Sequence, residues 1–225
     1  MDKRIFERLR NNLSDSRAKR FIEKRNLSNN FLELTHAGFI TEDLADSEFK
    51  EETQRLLALR AGGSFIYKSH LVFPCFNFDK EFCGFIGRAT YDTTFKFQLP
   101  SHLLFSKETF MLGWQDLEDD AKTVFVSENI FEYGRLRECG KQALSLNGAF
   151  KSKFKLSILL NRFENVVFVV DNDQAGFQLK SFIREYVNEF DREVKFVEHS
   201  EKGLDEFFIK YGKESTIKLL NKYDR

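Results

Sequence analysis

Two carboxylates, Asp171 and Asp173, directly follow an apolar run at residues 166–170, Val-Val-Phe-Val-Val. An uninterrupted run of β-branched and aromatic residues is typical of a strand buried on both faces, as in a parallel sheet. Open α/β sheets bind their ligands at the carboxyl ends of such strands. Paired carboxylates at that edge suit a hard divalent cation and, through it, the phosphates of a substrate. The spacing therefore predicts a metal-dependent site for nucleotide chemistry.

Further acids follow two other predicted strands. Glu128 comes directly after residues 123–127, and Asp205 and Glu206 come shortly after residues 194–197. Each acid alone has an ordinary explanation, because Asp, Asn and Glu also form turns and cap helices. Acids that follow three separate strands of one sheet favour a metal cluster.

The elements that would position these acids lie in the second half of the chain. From residue 121 onward, predicted strands alternate with predicted helices, and the strands are at residues 123–127, 143–146, 166–170 and 194–197. This alternation indicates an α/β fold with a mainly parallel central sheet flanked by helices. The last helical stretch is predicted as two helices, at residues 204–211 and 214–222.

The first half of the chain has a different pattern. The first 60 residues are predicted to be mainly helical, with a helix cap at Ser14 or Asp15. Short β-rich runs between residues 65 and 97 then predict a small antiparallel sheet. We therefore expect two subdomains: a helical and β-rich one at residues 1–120, and an α/β one at residues 121–225.

Composition restricts the possible classes of protein. The chain of 225 residues is 42% hydrophobic and 31% charged, which is typical of a soluble globular protein. It has neither an apolar run long enough to span a membrane nor a signal peptide, so we expect a cytoplasmic protein. The three cysteines lack the paired spacing of a structural zinc site.

Charge is balanced overall but not along the chain. The protein has 35 basic and 35 acidic residues, yet residues 1–25 hold nine basic side chains against four acids. A basic segment can follow a phosphate backbone, although a solvated pair of helices explains it equally well. The candidate DNA-binding residues in this segment are Arg17, Lys19, Arg20, Lys24 and Arg25.

Three segments resemble, in order and spacing, the signature motifs of the Toprim domain, which bacterial-type primases share with topoisomerases and some nucleases. They are residues 126–132 (VSENIFE), 171–176 (DNDQAG) and 202–207 (KGLDEF). The preceding segments at residues 17–40 and 71–107 are similar to the first part of the primase catalytic core. The chain thus resembles a primase core without the zinc-binding and helicase-binding modules. We expect either an excised core or a reduced primase such as a phage or mobile element encodes.

The resemblance implies a role for each matching acid. Asp171 and Asp173 would be the principal ligands of Mg²⁺ or Mn²⁺. Glu128 would organise the metals or act near the reacting 3′-hydroxyl, and Asp205 and Glu132 would complete the cluster.

The resemblance also implies cations and partners. Arg88, Lys96 and Lys107 would hold the triphosphate of the incoming nucleotide. Single-stranded DNA would be the template and NTPs the substrates. The candidate protein partners would be a replicative helicase or a separate zinc-binding protein that selects the template.

Two of the three motifs depart from the family pattern. The third motif usually reads Asp-Pro-Asp, whereas this chain has Gly203 at the first position, so one metal-facing acid is missing and Glu201 or Glu206 would have to replace it. The first motif commonly reads Glu-Gly-x-x-Asp, whereas this chain has Asn129 after the glutamate and Glu132 at the last position.

The leading hypothesis is a primase that makes short RNA primers on single-stranded DNA by metal-dependent nucleotidyl transfer. The same acids would also serve a Toprim nuclease, which uses metal-activated water. A third hypothesis is a degenerate module that binds nucleic acid without catalysis, for which Gly203 is the main argument. A topoisomerase is disfavoured because the chain lacks room for a separate tyrosine-bearing domain.

Overall fold

The protein folds as two compact units. In the computed structural model these are residues 1–106 and 107–225. The description covers residues 3–41, 69–94, 96–99, 107–147 and 152–224. The boundary expected at residue 120 lies within the second unit, where the backbones of Leu112 and Ser145 exchange hydrogen bonds of 3.1 and 2.9 Å.

Three helices open the first unit: α1 (Lys3–Asn11), α2 (Ser16–Lys24) and α3 (Asn29–Leu34). Asp15 caps α2, because its carboxylate accepts a hydrogen bond of 2.8 Å from the backbone N–H of Arg17. This cap satisfies one of the donors that a helix start leaves unpaired, as its sequence position predicts.

An antiparallel sheet completes the first unit. Its strands are β1 (Gly38–Ile40), β2 (His70–Phe76), β3 (Phe82–Ala89) and β4 (Phe97–Gln98), and they lie in that order. Strand β1 falls within the stretch expected to be mainly helical. It forms because residues 38–40 pair with β2, and local sequence does not reveal such a distant partner.

The second unit contains a parallel sheet with the strand order β6-β5-β7-β8. Its strands are β5 (Thr123–Ser127), β6 (Ala143–Ser145), β7 (Asn165–Val169) and β8 (Lys195–Phe196). The predicted α/β class, with a mainly parallel sheet after a β-rich subdomain, is confirmed. Each residue from 166 to 170 is at most 2% exposed, as the apolar run predicts for a central strand.

Four helices connect and flank these strands: α4 (Ile130–Glu138), α5 (Lys153–Arg162), α6 (Gln174–Asn188) and α7 (Leu204–Leu220). Gly212 interrupts α7 with a φ of 82°, so α7 consists of two helical segments, as predicted. In the described part of the chain, no helix is both long and apolar enough to cross a membrane.

A buried ion pair joins α4 to α7. Arg135 is fully buried, and its Nε donates a hydrogen bond of 2.8 Å to Oδ1 of Asp205. Its Nη1 donates a second bond of 2.8 Å to Glu138, and its guanidinium lies 4.5 Å from the ring centroid of Phe208. Because a buried charge is costly without a partner, this network fixes the start of α7 against α4.

We expect Arg135→Met to destabilise the protein by roughly 3–5 kcal/mol, since it leaves the buried Asp205 carboxylate without its cation. Urea unfolding near neutral pH measures the loss. Lys122→Ala is the matched control, because Lys122 pairs with Glu164 on the exposed surface and such pairs contribute at most ~1 kcal/mol. Equal effects of the two substitutions would contradict the assigned role of Arg135.

Candidate functional site

Strand order brings the predicted acids of two strands to one edge of the sheet. β5 and β7 are neighbours, and Ser127 at the end of β5 pairs with Val169 at the end of β7. The next residues, Glu128 after β5 and Asp171 shortly after β7, therefore leave the sheet side by side. The coulombic effect of Asp171 on the pKa of Glu128 reflects this proximity.

Asp173 has a structural role in addition to its predicted one. Its Oδ1 accepts a hydrogen bond of 3.0 Å from the backbone N–H of Gly176 and caps α6. Its Oδ2 lies 3.4 Å from Nζ of Lys202. The hydrogen bond from Gly176, followed by the interaction with Lys202, lowers the pKa of Asp173 and keeps it ionised.

Gly176 of the DNDQAG motif has a steric role. A Cβ atom at this position would lie 1.9 Å from the backbone carbonyl oxygen of Asp171. Only glycine permits this approach, which packs the first turn of α6 directly on the loop that carries Asp171. The motif thus combines two acids with the glycine that holds their loop against the helix.

Glu128 is half-buried beside other negative charges. Its Oε2 is buried and has no hydrogen-bond partner among the described residues. Burial, followed by repulsion from Asp171 and Asp173, raises the pKa of Glu128 from its ordinary 4.5 to about 7. A nearby cation would stabilise the ionised form of this carboxylate.

Glu132 is 1% exposed and reaches the same position from α4. Its Oε1 accepts a hydrogen bond of 3.0 Å from the backbone N–H of Leu204, whereas its Oε2 has no partner within the described structure. Burial, and then the charge of Asp171, raise the pKa of Glu132 well above its ordinary value. Its carboxyl therefore requires a proton or a cation close by.

Gly203 lies where these carboxylates meet. A Cβ atom at this position would lie 2.7 Å from Oδ1 of Asp171 and 3.0 Å from Oε1 of Glu132. An Asp at 203 would thus collide with both. Glu132 and Gly203, which both replace an Asp of the family pattern, are complementary. The longer side chain of Glu132 brings its carboxylate to the side of Gly203, where a side chain is missing.

The other predicted acids point elsewhere. Asp205 is bound to Arg135, and Oε1 of Glu201 accepts hydrogen bonds from Lys210 at 2.8 Å and Tyr211 at 3.0 Å. Glu206 is exposed. The structure therefore groups Glu128, Glu132, Asp171 and Asp173, while Asp205 as a metal ligand stays a prediction.

The grouped acids fit a divalent cation by their chemistry. Within the described ranges, no three His, Cys, Asp or Glu side chains surround a common metal position. The buried, unpartnered oxygens of Glu128 and Glu132 are nevertheless the ligand type that Mg²⁺ and Mn²⁺ prefer. Both carboxyl groups also have raised pKa values, which a bound cation would lower.

Asn172 positions the loop that carries Lys202 and Gly203. Its backbone N–H donates to the carbonyl of Lys202 at 2.6 Å, and its side-chain Nδ2 donates to the carbonyls of His199 at 2.7 Å and Glu201 at 2.8 Å. In the sequence, Asn172 is simply the residue between the two acids, and it was not among the predicted site residues. Its residue type was the available sequence signal for this role, because the amide NH2 group of Asn can donate hydrogen bonds to two carbonyl oxygens.

Arg88 in the first unit is a buried cation. Its Nη1 donates to the carbonyls of Ala89 and Lys96, both at 3.1 Å, while its Nε is buried and unpartnered within the described residues. Burial, and then the charge of Arg25, lower the pKa of Arg88. Two neighbouring cations with an unused donor are suited to an anion such as phosphate.

The other predicted cations differ in their surroundings. Lys96 is exposed, and the side chain of Lys107 lies outside the described part of the structure. Arg17 forms an ion pair with Asp15 at 3.0 Å. The remaining cations of α2 that are exposed to solvent are Lys19, Arg20 and Lys24.

The raised pKa of Glu128 makes stability depend on pH when metal is absent. Because Glu128 binds its proton more tightly in the folded protein than in the unfolded chain, the folded state loses stability as pH rises from about 4.5 to about 7. Glu128→Gln removes this loss. In EDTA we expect the variant to exceed the wild type by on the order of 1 kcal/mol near pH 8, after allowance for the partial exposure of Glu128, with a smaller difference near pH 5. Urea unfolding at both pH values measures it, and a difference independent of pH would contradict the shift.

The sequence matches no protein-family model and no curated protein. Several solved structures nevertheless share the fold. The RNA polymerase domain of Mycobacterium tuberculosis primase DnaG aligns with a TM-score of 0.81 and 17% identity, over 97% of this chain and 81% of that chain. A DNA primase domain from Pseudomonas aeruginosa aligns with a TM-score of 0.80 and 19% identity, over 98% and 77% of the two chains.

The DnaG primase catalytic domain bound to ssDNA aligns with a TM-score of 0.79 and 19% identity, over 98% of this chain and 76% of that chain. These likenesses extend over both units, including the parallel sheet whose edge carries Glu128 and Asp171. They confirm the fold that the sequence motifs imply. The chain therefore has the fold of a DnaG-type primase catalytic core.

Proposed function

We propose that this protein is a primase that synthesises short primers on single-stranded DNA by metal-dependent nucleotidyl transfer from NTPs. The observation that carries the proposal is the group of four acids formed by Glu128 after β5, Asp171 and Asp173 after β7, and Glu132 from α4. Its members Glu128 and Glu132 each have a buried oxygen without a partner in the described structure. The fold, which is that of primase catalytic cores, supports it.

Glu128, Glu132, Asp171 and Asp173 would hold Mg²⁺ or Mn²⁺. A bound divalent cation lowers the pKa of a hydroxyl nucleophile and neutralises charge on the transferred phosphates. The chain itself contributes the rigid placement of its ligands. Asp173 is held by its cap on α6, and Glu132 by the N–H of Leu204.

Glu128 is the acid proposed to act near the 3′-hydroxyl of the growing primer. A bound cation would lower the raised pKa of Glu128 and keep its carboxyl ionised at neutral pH, so that the carboxyl could accept a proton from the attacking hydroxyl. This proton transfer would accompany attack of the 3′-oxygen on the α-phosphate and departure of pyrophosphate.

Arg88 and Arg25 in the first unit support an anion-binding role. Burial, and then the charge of Arg25, lower the pKa of Arg88, and a bound phosphate group would offset both effects. We propose that Arg88, with Lys96 and Lys107, binds the triphosphate of the incoming nucleotide. The Nε–H group of Arg88 is the donor that remains for a hydrogen bond to the triphosphate.

The basic side chains near the start of the chain are proposed to contact the template. Lys19, Arg20 and Lys24 on α2 are exposed, which leaves them accessible to phosphates. A similar fold is seen in a primase domain bound to ssDNA, which supports a nucleic-acid partner. Arg17 and Arg25 complete the proposed set. A replicative helicase, or a separate zinc-binding protein that selects the template, would be a protein partner.

We expect Asp171→Asn with Asp173→Asn to reduce primer synthesis at least ~100-fold, because it removes two metal-facing charges. Asn keeps the cap on α6, so the fold is preserved. The assay supplies single-stranded template, one labelled NTP, and Mg²⁺ or Mn²⁺. Asp191→Asn is the matched control, because Asp191 is exposed and has a φ of 50°, which Asn also adopts.

The same assay separates the competing functions. Template degradation that depends on Asp171 and Asp173 would replace the primase with a nuclease. Retained DNA binding without any turnover would indicate a degenerate binding module. Short new oligonucleotides from the wild type, lost in the double variant, support the primase.

The complementary departures at residues 132 and 203 give a second test. We expect Gly203→Asp alone to cost roughly 1–3 kcal/mol through collision with Asp171 and Glu132, and Glu132→Asp alone to weaken Mn²⁺ binding. The double variant restores the family's acids at residues 132 and 203, so it should recover most of both losses. Thermal unfolding and electron paramagnetic resonance of Mn²⁺ measure stability and binding.

The control for this exchange is Glu128→Asp combined with Gly203→Asp, which shortens an acid that does not adjoin residue 203. We expect no recovery from that pair. Additive losses in the Glu132→Asp and Gly203→Asp double variant would show that the two departures are independent of each other.

A further inference from the structure

Phe177 is an exposed aromatic side chain near the candidate metal site. It is 57% exposed, which is the highest value among the large apolar side chains of the described residues. It lies four positions after Asp173, in the first turn of α6. Its neighbours Gly176 and Leu179 are buried, so the helix orients Phe177 outward while its other face packs on the sheet.

Two cations lie along the same face of α6. Nζ of Lys180 is 5.8 Å from the ring centroid of Phe177 and 6.0 Å from that of Phe196 on β8. The guanidinium of Arg184 is 5.0 Å from the ring centroid of Phe196. Phe177, Lys180, Arg184 and Phe196 thus form one continuous surface, which we call the α6 strip.

The cations of the α6 strip are available for a partner. Neither Lys180 nor Arg184 forms an ion pair with any described carboxylate, and residues 174–184 contain no acid. Elsewhere in this unit, exposed lysines such as Lys122 and Lys210 are paired with glutamates. An aromatic surface with uncompensated cations is suited to a ligand that offers both planar rings and negative charge.

We propose that the α6 strip binds single-stranded nucleic acid, with a base stacked on Phe177 and backbone phosphates on Lys180 and Arg184. A single strand presents the faces of its bases, whereas a duplex hides them within its stack, so an exposed Phe selects the single strand. The distance along the helix from Phe177 to Arg184 is ~10 Å. Template DNA and RNA primer share this chemistry.

The α6 strip is fixed relative to the candidate metal site. Gly176 packs on the carbonyl of Asp171, and Asp173 caps the helix, so Phe177 follows the two acids at a set position. Lys180 also lies near His199, whose pKa it lowers after the larger effect of burial. A nucleic-acid strand bound to this surface would extend toward the acids. In this respect the inference rests on the proposed function.

The test measures fluorescence anisotropy of labelled oligo-dT and oligo-rU at several salt concentrations, in EDTA and without NTPs. We expect Phe177→Ala to lower affinity about 5- to 100-fold through loss of one stacked base. Lys180→Ala with Arg184→Ala should reduce the slope of log affinity against log salt by about 1.4, or ~0.7 for each phosphate contact.

Matched controls come from the same unit. Phe154→Ala removes a phenylalanine that is 52% exposed, and Lys122→Ala with Lys213→Ala removes two exposed cations outside the α6 strip. The affinity and the salt slope of these controls should stay within about twofold of the wild-type values, because only non-specific charge effects should change them. Circular dichroism establishes that all variants are folded.

The outcomes separate this inference from the primase proposal, because binding is measured without metal or synthesis. Unchanged affinity and salt slope in the α6 strip variants, or no binding by the wild type, would overturn it even if primers are made. Equal losses on single-stranded and blunt duplex DNA would also overturn it. A loss confined to oligo-dT assigns the surface to the template, and a loss confined to oligo-rU assigns it to the primer.

Discussion

Repulsion between carboxylates is the constraint on which the end of the parallel sheet depends. Oδ1 of Asp171 and Oε1 of Glu132 adjoin the same point, and Gly203 lies at that point without a side chain. Burial, and then the charge of Asp171, raise the pKa values of Glu128 and Glu132, so the arrangement is unfavourable for a protein without a ligand. Proteins retain clustered, unsatisfied acids of this kind mainly where a ligand or a reaction uses them.

The surrounding structure supplies the rigidity that holds these acids together. Arg135 ties the start of α7 to α4, and Asn172 ties the loop before α7 to the loop after β7. Gly176 allows α6 to pack directly on the carbonyl of Asp171. Three independent attachments thus converge on a short stretch of backbone, which limits how far the acids can separate. Preorganisation of this type is what electrostatic catalysis requires.

Local patterns were sufficient for much of the fold and for part of the site. The run at residues 166–170 is apolar without interruption because both faces of its strand are covered, so burial can be inferred directly from the residues. The cap at Asp15 and the break of α7 at Gly212 also follow from residue types that have strong local preferences. Strand β1 could not be found in this way, because it depends on pairing with β2 about 30 residues later.

The sequence by itself determined that Glu128, Asp171 and Asp173 would follow buried parallel strands, since strand direction and hydrophobic period are local properties. Only the tertiary structure decided which further acids join them. Asp205 turns to Arg135, 70 positions away, while Glu132 reaches the side of Gly203. A charged side chain pairs with the group that best offsets the free-energy cost of burying the charge. That group is known only once distant helices pack together.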